Sequence, residues 1–583
     1  MNDISRYIVA GVLIFLIIVL SEPYFEWLGL NNSPDLSSMP NSELEEPVVP
    51  DVVLDKTDKP YIFNKDDEVF NETNEIFKTI VTKLYTATIS NRGGGSFVEF
   101  IINRPPSGSL QYLGGYNNQG TYLNDIPVSL ILPSDIVCRP CLSFKPRTPS
   151  GDDIALFDMP FDILTKIPDT TYLEAGETLD IVFKIKNSTQ GGLISKTTTF
   201  YGSSFKTDHN FSINSTIYDS HQEVVEISWL GGIRPTEERR SEDQQYEGAL
   251  IGQSGGVENI TINADDIKLA RDEYSGNTDW VGVRSKYFIT ALLPGVSGDY
   301  SVVSAKNTNF VDDIAVPSYD VSVGFDSGPT SISSSVYMGP LDYDHIKNDA
   351  PPLDAAMNWG FSLIKPISKA VLWVLKFLHN TFNINYGIVL LLFAIMVRFI
   401  TGPLTKKSFE SSQNMQKVQP QLKTIQEKYK GDPQGLNRET MALYKKHGVN
   451  PLGGCLPILL QMPLLFALFQ VFRSTIEFRG APFFLWISDL SKPDIVIDLP
   501  FYIPIYGDGI AVLPLIMGAT LILTMRMSSA TMDPSQKPIM YMMNGFFVLL
   551  FNTFPSGLNL YYTAYNILSF FQQRSIRSNL NKK

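Results

Sequence analysis

The sequence is poor in the residues that catalytic and metal sites most often use. Among its 583 residues there are only three cysteines and five histidines, and the histidines are scattered along the chain. No phosphate-binding loop, nucleophile elbow, HExxH sequence or paired-carboxylate arrangement is present in the sequence. These absences predict a protein that is not an enzyme and that uses neither a cofactor nor a metal ion.

Two of the three cysteines, Cys138 and Cys141, form a CxxC pair. Such a pair can be a redox site, half of a zinc site or a local disulfide. The sequence has no second CxxC, no histidine cluster nearby and no thioredoxin-like βαβ pattern, which argues against zinc and redox chemistry. A tight disulfide and two unreactive thiols remain as alternatives. The third cysteine, Cys455, is expected to be a small packing residue.

Charge is distributed unevenly along the chain. Residues 351–583 hold 22 lysines and arginines against 11 aspartates and glutamates, whereas the first 350 residues hold 25 against 49. The basic part is also the more hydrophobic one. An acidic, polar part joined to a basic, apolar part indicates two different surroundings, an aqueous compartment and a membrane.

Hydropathy predicts six membrane spans. The first, residues 7–20, follows Arg6 and has no prompt small-x-small cleavage pattern, so residues 1–22 are expected to be an uncleaved anchor. The other five are expected near residues 384–402, 455–475, 504–525, 539–554 and 558–573. Basic residues concentrate in the segments after the second, fourth and sixth spans, which predicts that these segments and both termini are cytoplasmic. Residues 21–383 would then lie largely on the other side.

Residues 61–345 are expected to form a large all-β sandwich. Short alternating runs, such as residues 179–186 and 211–218, are separated by glycine, asparagine, aspartate and proline, and no long helical pattern lies between them. Residues 23–60 have the proline-, serine- and acid-rich composition of a flexible linker.

Residues 353–380 predict an amphipathic helix that lies in the membrane interface. Lys365, Lys369 and Lys376 are spaced 4 and 7 residues apart and share one face, and tryptophans and aliphatic residues flank them. Pro366 is expected to kink this helix. A further membrane span is the alternative, and the three lysines and the proline count against it.

Residues 403–452 predict a cytoplasmic αα-hairpin with a basic exterior. Apolar residues at alternating spacings of three and four form the seam of its first helix, namely Met415, Val418, Leu422, Ile425 and Tyr429. Gly431-Asp432-Pro433 should end that helix, and a second helix is expected from about 434 to 447. A solvated loop and a docking surface for anionic lipid, ribosome or nascent chain are both compatible with this charge.

Arg398 ends an apolar run, residues 388–397. A guanidinium in a membrane segment is costly, so it must reach an interface, pair with an anion or lie in a wet cavity. In the last span, polar residues recur on one helical face at Asn559, Tyr562, Thr563, Asn566 and Ser569. A hydrogen-bonded seam between helices would produce the same stripe.

Methionines cluster around the loop after the fourth span. Met525, Met527 and Met532 are candidate contacts for varied apolar partners, because methionine is unbranched and adaptable. Ordinary core filling is the alternative.

Several motifs within residues 355–575 together resemble the bacterial YidC family of membrane protein insertases, to which the Oxa and Alb proteins of organelles also belong. These motifs are Arg398 followed by Pro403-Leu404-Thr405, Met441-Ala442-Leu443-Tyr444-Lys445, Asn450-Pro451-Leu452-Gly453-Gly454-Cys455-Leu456-Pro457, Gln461-Met462-Pro463 and Phe554-Pro555-Ser556-Gly557-Leu558-Asn559-Leu560-Tyr561-Tyr562. The chain differs from some relatives in its short basic tail, residues 576–583, where they carry a long ribosome-binding segment.

The resemblance implies a polytopic α-helical protein of the inner membrane with a five-helix core at residues 384–575 and a periplasmic β-sandwich. The core would enclose a hydrophilic groove, for which the candidates are Arg398, Gln461, Asn544, Asn559, Tyr562, Thr563 and Asn566. The implied function is insertion and folding of integral membrane proteins. The implied partners are nascent clients, the Sec translocon and the bilayer, with the ribosome as a further candidate and no direct contact with nucleic acid.

Two other functions are compatible with the residues alone. A channel or secondary transporter could be built around Arg398, although no inverted repeat is evident. An envelope-assembly scaffold could act through the β-domain, with the spans serving only as anchors.

Overall fold

A computed structural model describes residues 75–581, except residues 104–109, 135–137, 147–153, 156–158, 187–192, 214–222, 263–267, 312–313, 449–455, 504 and 530–536. The expected anchor (1–22), the expected linker (23–60) and Cys455 lie outside the described residues. The described chain folds into a β-domain, up to residue 340, and a helical region that follows it.

The β-domain is built almost entirely of strands. They are β1 (Phe77–Val81), β2 (Tyr85–Ser90), β3 (Ser96–Ile102), β4 (Leu113–Tyr116), β5 (Tyr122–Pro127), β6 (Cys141–Pro146), β7 (Ile154–Ala155), β8 (Asp162–Ile163), β9 (Thr170–Tyr172), β10 (Thr178–Lys186), β11 (Leu193–Tyr201), β12 (Lys206–Ile213), β13 (Glu223–Trp229), β14 (Gly248–Gln253), β15 (Gly256–Ile260), β16 (Lys268–Arg284), β17 (Phe288–Pro294), β18 (Gly298–Val311), β19 (Ile314–Phe325) and β20 (Ser331–Pro340). One short helix, α1 (Arg240–Gln244), precedes β14.

Two sheets of unequal size face each other in this domain. The larger has 14 strands, in the order β7-β6-β13-β19-β18-β16-β17-β20-β12-β11-β10-β8, with β14 and β15 attached at β16. The smaller has the order β3-β2-β1-β9. Phe97 on β3 lies 6.0 Å from Phe200 on β11 and 6.2 Å from Trp229 on β13, measured between ring centroids. The smaller sheet therefore packs against the larger one, as expected for a sandwich.

Cys138 and Cys141 form a disulfide, with an S–S distance of 1.98 Å. Both cysteines are buried at the start of β6. Of the two alternatives that the sequence left open, the structure has the disulfide.

The described part of the helical region contains three short helices and seven longer ones. These are α2 (Tyr343–Asp349), the 3-10 helix Pro351–Ala356, α3 (Lys365–Phe382), α4 (Tyr386–Lys428), α5 (Pro433–His447), α6 (Leu456–Ser474), the 3-10 helix Ile476–Phe478, α7 (Val512–Ser529), α8 (Lys537–Phe551) and α9 (Ser556–Asn581). Strands β21 (Ile495–Ile503) and β22 (Gly507–Ala511) pair between α6 and α7. Helix α9 packs against α4 and α7, and α7 packs against α8.

The second predicted span and the first helix of the predicted hairpin are one continuous helix. Helix α4 passes through Gly402 and Pro403 without a break. Proline removes a single backbone hydrogen bond, and the flanking turns are intact. The first half of α4 is apolar, and the second half packs on α5, where Val418 and Leu443 are buried together.

Two boundaries differ from the sequence prediction. The helix expected over residues 353–380 begins only at Lys365, and Pro351–Ala356 forms a separate 3-10 helix. Pro366 therefore lies in the first turn of α3, where a proline does not disturb the helix, and the expected kink is wrong. The fourth predicted span was expected to begin at residue 504, but residues 507–511 form β22 and the helix begins at Val512. The apolar residues before Val512 belong to a hairpin and not to a helix.

The described residues contain one helical segment that is long and apolar enough to cross a membrane, Tyr386–Ser408, with a mean hydropathy of 2.2. The segments Val512–Met525 and Tyr541–Phe551 are apolar but shorter. Helices occur at each of the five predicted C-terminal spans, while the number of spans stays a prediction.

The β-domain and the helical region share a buried ion pair. Arg479, just after α6, donates through Nε to Glu237 of the β-domain at 2.7 Å, and both side chains are buried. Its remaining N–H groups donate to the backbone carbonyls of Gln111, Leu113, Gly114 and Thr236. All five guanidinium donors are thus used, and the two parts are fixed against each other.

Candidate functional site

Arg398 is buried between α4 and α9. Its Nη1 atom donates to the hydroxyl of Tyr565 at 3.1 Å, and its guanidinium carbon lies 5.2 Å from the centroid of that ring. The side chain is 7% exposed, whereas the next residue, Phe399, is 86% exposed. Arg398 therefore points into the helical bundle and Phe399 away from it.

The contact between α4 and α9 continues on both sides of Arg398. Phe393 lies 5.8 Å from Tyr561, between ring centroids. Near the other end, a Cβ atom at Gly402 would lie 2.8 Å from the side-chain amide nitrogen of Gln572. The absence of a side chain at Gly402 lets the two helices approach closely, and this packing fixes the position of Arg398.

Part of the polar stripe on α9 faces neighbouring helices. Asn559, Thr563, Asn566 and Ser569 are buried, and Tyr562 is half-buried. The hydroxyl of Thr524 on α7 donates to the backbone carbonyl of Asn566 at 3.3 Å. This bond joins α7 to the backbone of α9 and uses no side chain of the stripe, so both the groove and the helix seam remain compatible with it.

Asn559 has a structural role. Its Nδ2 atom donates to the carbonyls of Phe551 at 3.1 Å and Phe554 at 3.3 Å, which ties the start of α9 to the end of α8. This contact holds the α8–α9 turn. It leaves only the Oδ1 atom of Asn559 available to another partner.

Several buried polar atoms in the bundle have no hydrogen-bond partner among the described residues. They are Nε and Nη2 of Arg398, Oγ1 of Thr563, Oδ1 of Asn559, Oε1 of Gln572, the hydroxyl of Tyr561, and both amide atoms of Asn544. A buried polar group without a partner costs about 1–3 kcal/mol. A set of such groups inside an apolar bundle is therefore chemically suited to bind a polar segment.

The other groove candidates are more dispersed than the sequence suggested. Asn544 lies one turn before Val548, the residue of α8 that contacts Gly518 of α7. Asn544 therefore faces α7, whereas Arg398 faces α9. Gln461 is half-buried on α6, and in the described part of the chain no hydrogen bond joins either residue to Arg398.

Of the three methionines proposed as client contacts, Met525 is half-buried near the end of α7. The side chain of Met527 and all of Met532 lie outside the described residues. The motif residues 450–455 lie outside them as well.

The three lysines of α3 contact protein carboxylates. Lys365 and Lys369 pair with Asp354 at 3.1 and 2.8 Å. Lys376 pairs with Asp344 at 2.7 Å and with Glu477 at 3.0 Å. The carboxylates that surround Lys376 raise the pKa of its ammonium, although burial acts in the opposite direction. The lysine face of α3 is thus bound to α2 and to the two 3-10 helices, Pro351–Ala356 and Ile476–Phe478.

Sequence reasoning missed two residues, Tyr565 and Arg479. Tyr565 lies on the Arg398 side of α9, four residues after Tyr561, and a search for aromatic residues at helical spacing would have found it. Arg479 had no local signal, because its partner Glu237 is 242 residues away in sequence. Among the described residues, no cluster of histidine, cysteine, aspartate and glutamate side chains could hold a metal ion.

An arginine buried in a bundle of apolar helices, joined to a large β-domain, defines an α-helical membrane protein with a polar site inside its helical region. Two family models match this chain: the 60Kd inner membrane protein over residues 377–583 and the YidC periplasmic domain over residues 165–374. The chain belongs to the YidC family of membrane protein insertases.

Two relatives with similar sequences support this assignment over most of the chain. The membrane protein insertase YidC of Chlorobium limicola is 32% identical over 565 residues, which cover 95% of this chain and 92% of that protein. The corresponding protein of Chlorobium phaeovibrioides is 34% identical over 85% of this chain and 82% of its own. A crystal structure of an active YidC insertase with its first transmembrane domain resolved has 17% identity and a TM-score of 0.33, and the match covers 86% of this chain and 94% of that one.

Membership in this family confirms the function expected from the sequence. The chain is a membrane protein insertase of the inner membrane, and its β-domain is periplasmic. Its clients are membrane proteins, and it is not an enzyme.

Proposed function

We propose that Arg398 and the polar side of α9 form a groove that receives a hydrophilic segment of a client during insertion. The proposal rests on the hydrogen bonding of the Arg398 guanidinium. Its Nη1 atom donates to Tyr565, whereas Nε and Nη2 are buried without a partner in the described chain. A carboxylate or a backbone carbonyl of a client supplies the acceptor that these donors lack. Gln461, Asn544, Tyr562, Thr563 and Asn566 contribute further polar contacts along the path.

The groove acts by lowering the cost of taking a polar segment into the bilayer. Each buried peptide group that loses its water must find another partner, and the groove provides partners. The apolar helix of the client then moves from the groove into lipid, and its hydrophobic transfer drives insertion. The membrane potential assists when the translocated tail is acidic. No covalent bond is made or broken.

The proposed topology has six spans with both termini in the cytoplasm and residues 21–383 largely in the periplasm. The β-domain contacts the end of α6 through Arg479, and the α4–α5 hairpin extends from the opposite end of α4. Arg398 lies 12 residues after the start of α4, a rise of about 18 Å. In a hydrocarbon core about 30 Å thick, this depth is below the middle and closer to the cytoplasm.

The remaining parts have proposed roles that fit their surfaces. The exposed Trp373 and Phe377 of α3 stack with a centroid distance of 5.5 Å and face the membrane interface beside the lysine face. The basic α4–α5 hairpin and Met525, Met527 and Met532 contact the arriving client. The Sec translocon and the ribosome are proposed partners, the first at the periplasmic domain and the second at the hairpin.

A photocrosslinking experiment tests the groove. A photoreactive phenylalanine analogue replaces Tyr562, and in a matched control it replaces Phe571, which is exposed on α9 and lies nine residues away on the opposite face. With a translation-arrested, acidic-tailed client, position 562 should crosslink to the client's polar tail. Position 571 should crosslink to lipid or to the client's apolar helix. Tail crosslinks from position 571 that equal those from 562 would contradict the proposal.

A further inference from the structure

Strands β21 and β22 form a hairpin, residues 495–511, which we call the outer hairpin. It exposes four apolar side chains: Val496, Ile497, Phe501 and Ile505. A neighbouring turn exposes Phe484 and Leu485. A group of exposed apolar residues of this size marks a surface that binds a membrane or a protein. We call these six residues the outer apolar patch.

Two residues of the outer apolar patch have an unfavourable backbone conformation. Ile505 has φ +74° and Leu485 has φ +60°, and their side chains are 54% and 73% exposed. The left-handed conformation costs an L-residue about 1–2 kcal/mol, and glycine or asparagine would adopt it more easily. A branched apolar side chain at such a position, without burial in the protein, indicates a contact made outside the described chain.

The outer hairpin lies at the ends of apolar helices. Strand β22 runs directly into α7 at Val512. Asn552, the residue after α8, donates to the carbonyls of Tyr506 and Gly509 at 2.7 Å each and accepts from the N–H of Ala511 at 3.0 Å. The hairpin is therefore fixed to the ends of both α7 and α8.

The Phe484-Leu485 turn is fixed to the start of α4. A Cβ atom at Gly387 would lie 1.9 Å from a ring carbon of Phe483, so the turn packs directly on the first residues of the helix. The side-chain amide of Asn385 donates to the carbonyl of Pro482 at 2.5 Å. The outer apolar patch thus lies at the level where α4, α7 and α8 begin or end.

The charged side of this region is bound to the β-domain. Arg239 pairs with Asp508 at 3.1 Å and with Asp498 at 4.0 Å. The indole N–H of Trp486 donates to Asp494 at 2.9 Å, while part of the ring is exposed. Partly exposed tryptophan with its polar edge bonded is typical of the interface between membrane and water. Asp508 and Asp494 thus have close protein partners, Asp498 remains 86% exposed at 4.0 Å from Arg239, and the exposed apolar groups have no cover among the described residues.

We propose that the outer apolar patch inserts into the interfacial layer of the outer leaflet of the inner membrane. The occupant is the lipid bilayer, because the patch is held at the ends of three apolar helices, Asp508 pairs with Arg239 of the β-domain, and Trp486 has the bonded polar edge of an interfacial tryptophan. This contact is separate from that of α3 and from the Arg398 groove. It sets the depth of α4, α7 and α8 in the bilayer at their periplasmic ends.

Lipid-borne quenchers test this proposal in the full-length protein. In a Cys455→Ala background, a polarity-sensitive fluorophore is attached to Phe501→Cys or Ile505→Cys, and the protein is placed in nanodiscs with acyl-chain spin-labelled lipid. The control label is at Val296→Cys, which is 77% exposed just beyond the end of β17. Phe288, at the start of β17, contacts Arg479 at the interface of the two domains. Val296 lies beyond the other end of this strand, and it is therefore about 20 Å or more from that interface.

The proposal predicts that spin-labelled lipid quenches the labels at 501 and 505 several-fold more than the label at 296, and that aqueous iodide gives the reverse order. Equal iodide quenching at all three sites would overturn it. Protection that occurs only after a client or another envelope protein is added would also overturn it and identify a protein partner.

A second variant tests whether the apolar side chains cause the insertion. Ile497→Ser combined with Phe501→Ser should lower lipid quenching of a label at 505 several-fold, toward that of the label at 296. Both positions are exposed, so the fold does not depend on them. Unchanged lipid quenching in this variant would contradict the proposal.

Discussion

At the scale of single residues, Arg398 depends on Tyr565 for its position. The guanidinium has one hydrogen bond and one ring contact, and both come from the same side chain. Tyr565 therefore holds Arg398 toward α9 while leaving two of its nitrogens available. A tyrosine is suited to this because its ring stabilises a cation and its hydroxyl accepts a hydrogen bond.

Tyr565→Phe removes the hydrogen bond and keeps the ring. We expect a loss of about 1–3 kcal/mol in the free energy of unfolding, because the acceptor of a charged donor is removed, together with a partial loss of client insertion. Thermal unfolding in detergent and insertion into vesicles measure the two effects. Tyr561→Phe is the matched control, since the hydroxyl of Tyr561 has no hydrogen-bond partner among the described residues. Equal effects from both variants would show that the Tyr565 hydroxyl does not position Arg398.

The buried Lys196 in the β-domain should make the stability of the protein depend on pH. Burial lowers its pKa from 10.5 to about 7, and its Nζ atom donates to the carbonyl of Pro140 at 2.7 Å. Between about pH 7 and 10.5 the unfolded chain keeps a proton that the folded protein has lost. Stability should therefore rise with pH in this window, and below it the contribution of Lys196 should no longer change with pH.

Lys196→Met should remove that rise in the thermal unfolding midpoint of the β-domain. Lys145→Met is the control, because Lys145 is part of a solvent-accessible ion pair with Glu273. A slope that persists in Lys196→Met would show that another group is responsible.

At the scale of elements, the sequence was most informative where spacing alone determines the contact. The residues Met415, Val418, Leu422 and Ile425 predicted a helical seam, and in the structure they pack around Val418 and Leu443. Spacing could not show that α4 continues through Pro403, because one proline either ends a helix or is absorbed by it depending on the packing around it.

The lysines of α3 also show what residue spacing cannot predict. Their spacing correctly places them on one face, but a sequence cannot show whether that face meets water or protein. In the structure they pair with Asp354, Asp344 and Glu477, which come from elements before and after α3. The stripe on α9 is likewise ambiguous from spacing alone, because buried polar side chains can face either a neighbouring helix or a groove.

The outer hairpin is attached to the end of α8 by hydrogen bonds to one residue, Asn552. Asn552→Ala removes three hydrogen bonds to the hairpin, at about 1 kcal/mol net for each, so we expect a loss of about 2–4 kcal/mol. Hydrogen exchange at the amide of Ala511 should accelerate, and thermal unfolding should occur at a lower temperature. Thr553→Ala is the neighbouring control, because Thr553 is exposed and its hydroxyl bonds only within α8 at Leu550. An unchanged exchange rate in Asn552→Ala would contradict this role.

At the scale of the whole molecule, the β-domain is joined to the helical region by buried polar contacts that no local pattern in the sequence indicates. Arg479 and Glu237 are far apart in the chain, and neither lies in a recognisable motif. The two domains could be predicted from composition and hydropathy, whereas the contacts between them arise only when the chain has folded.

Arg479→Ala tests this connection. Breaking a buried ion pair leaves Glu237 charged and unpaired, and we expect a loss of about 3–5 kcal/mol in the free energy of unfolding. Lys492→Ala breaks the more exposed pair with Glu238 between the same two parts, where the expected loss is at most about 1 kcal/mol. Chemical denaturation in detergent compares the two variants. Losses of equal size would show that burial of the Arg479–Glu237 pair does not strengthen the interface.

In the proposed mechanism, the positively charged side chain of Arg398 binds the polar segment of a client. The most direct measurement is insertion into vesicles that contain only this protein, with clients that differ solely in an acidic or a neutral tail. Wild type and Arg398→Lys should insert the acidic-tailed client efficiently, and Arg398→Ala should insert it several-fold less while retaining more of its activity on the neutral tail. Full insertion of the acidic-tailed client by Arg398→Ala would show that insertion does not require the charge of Arg398.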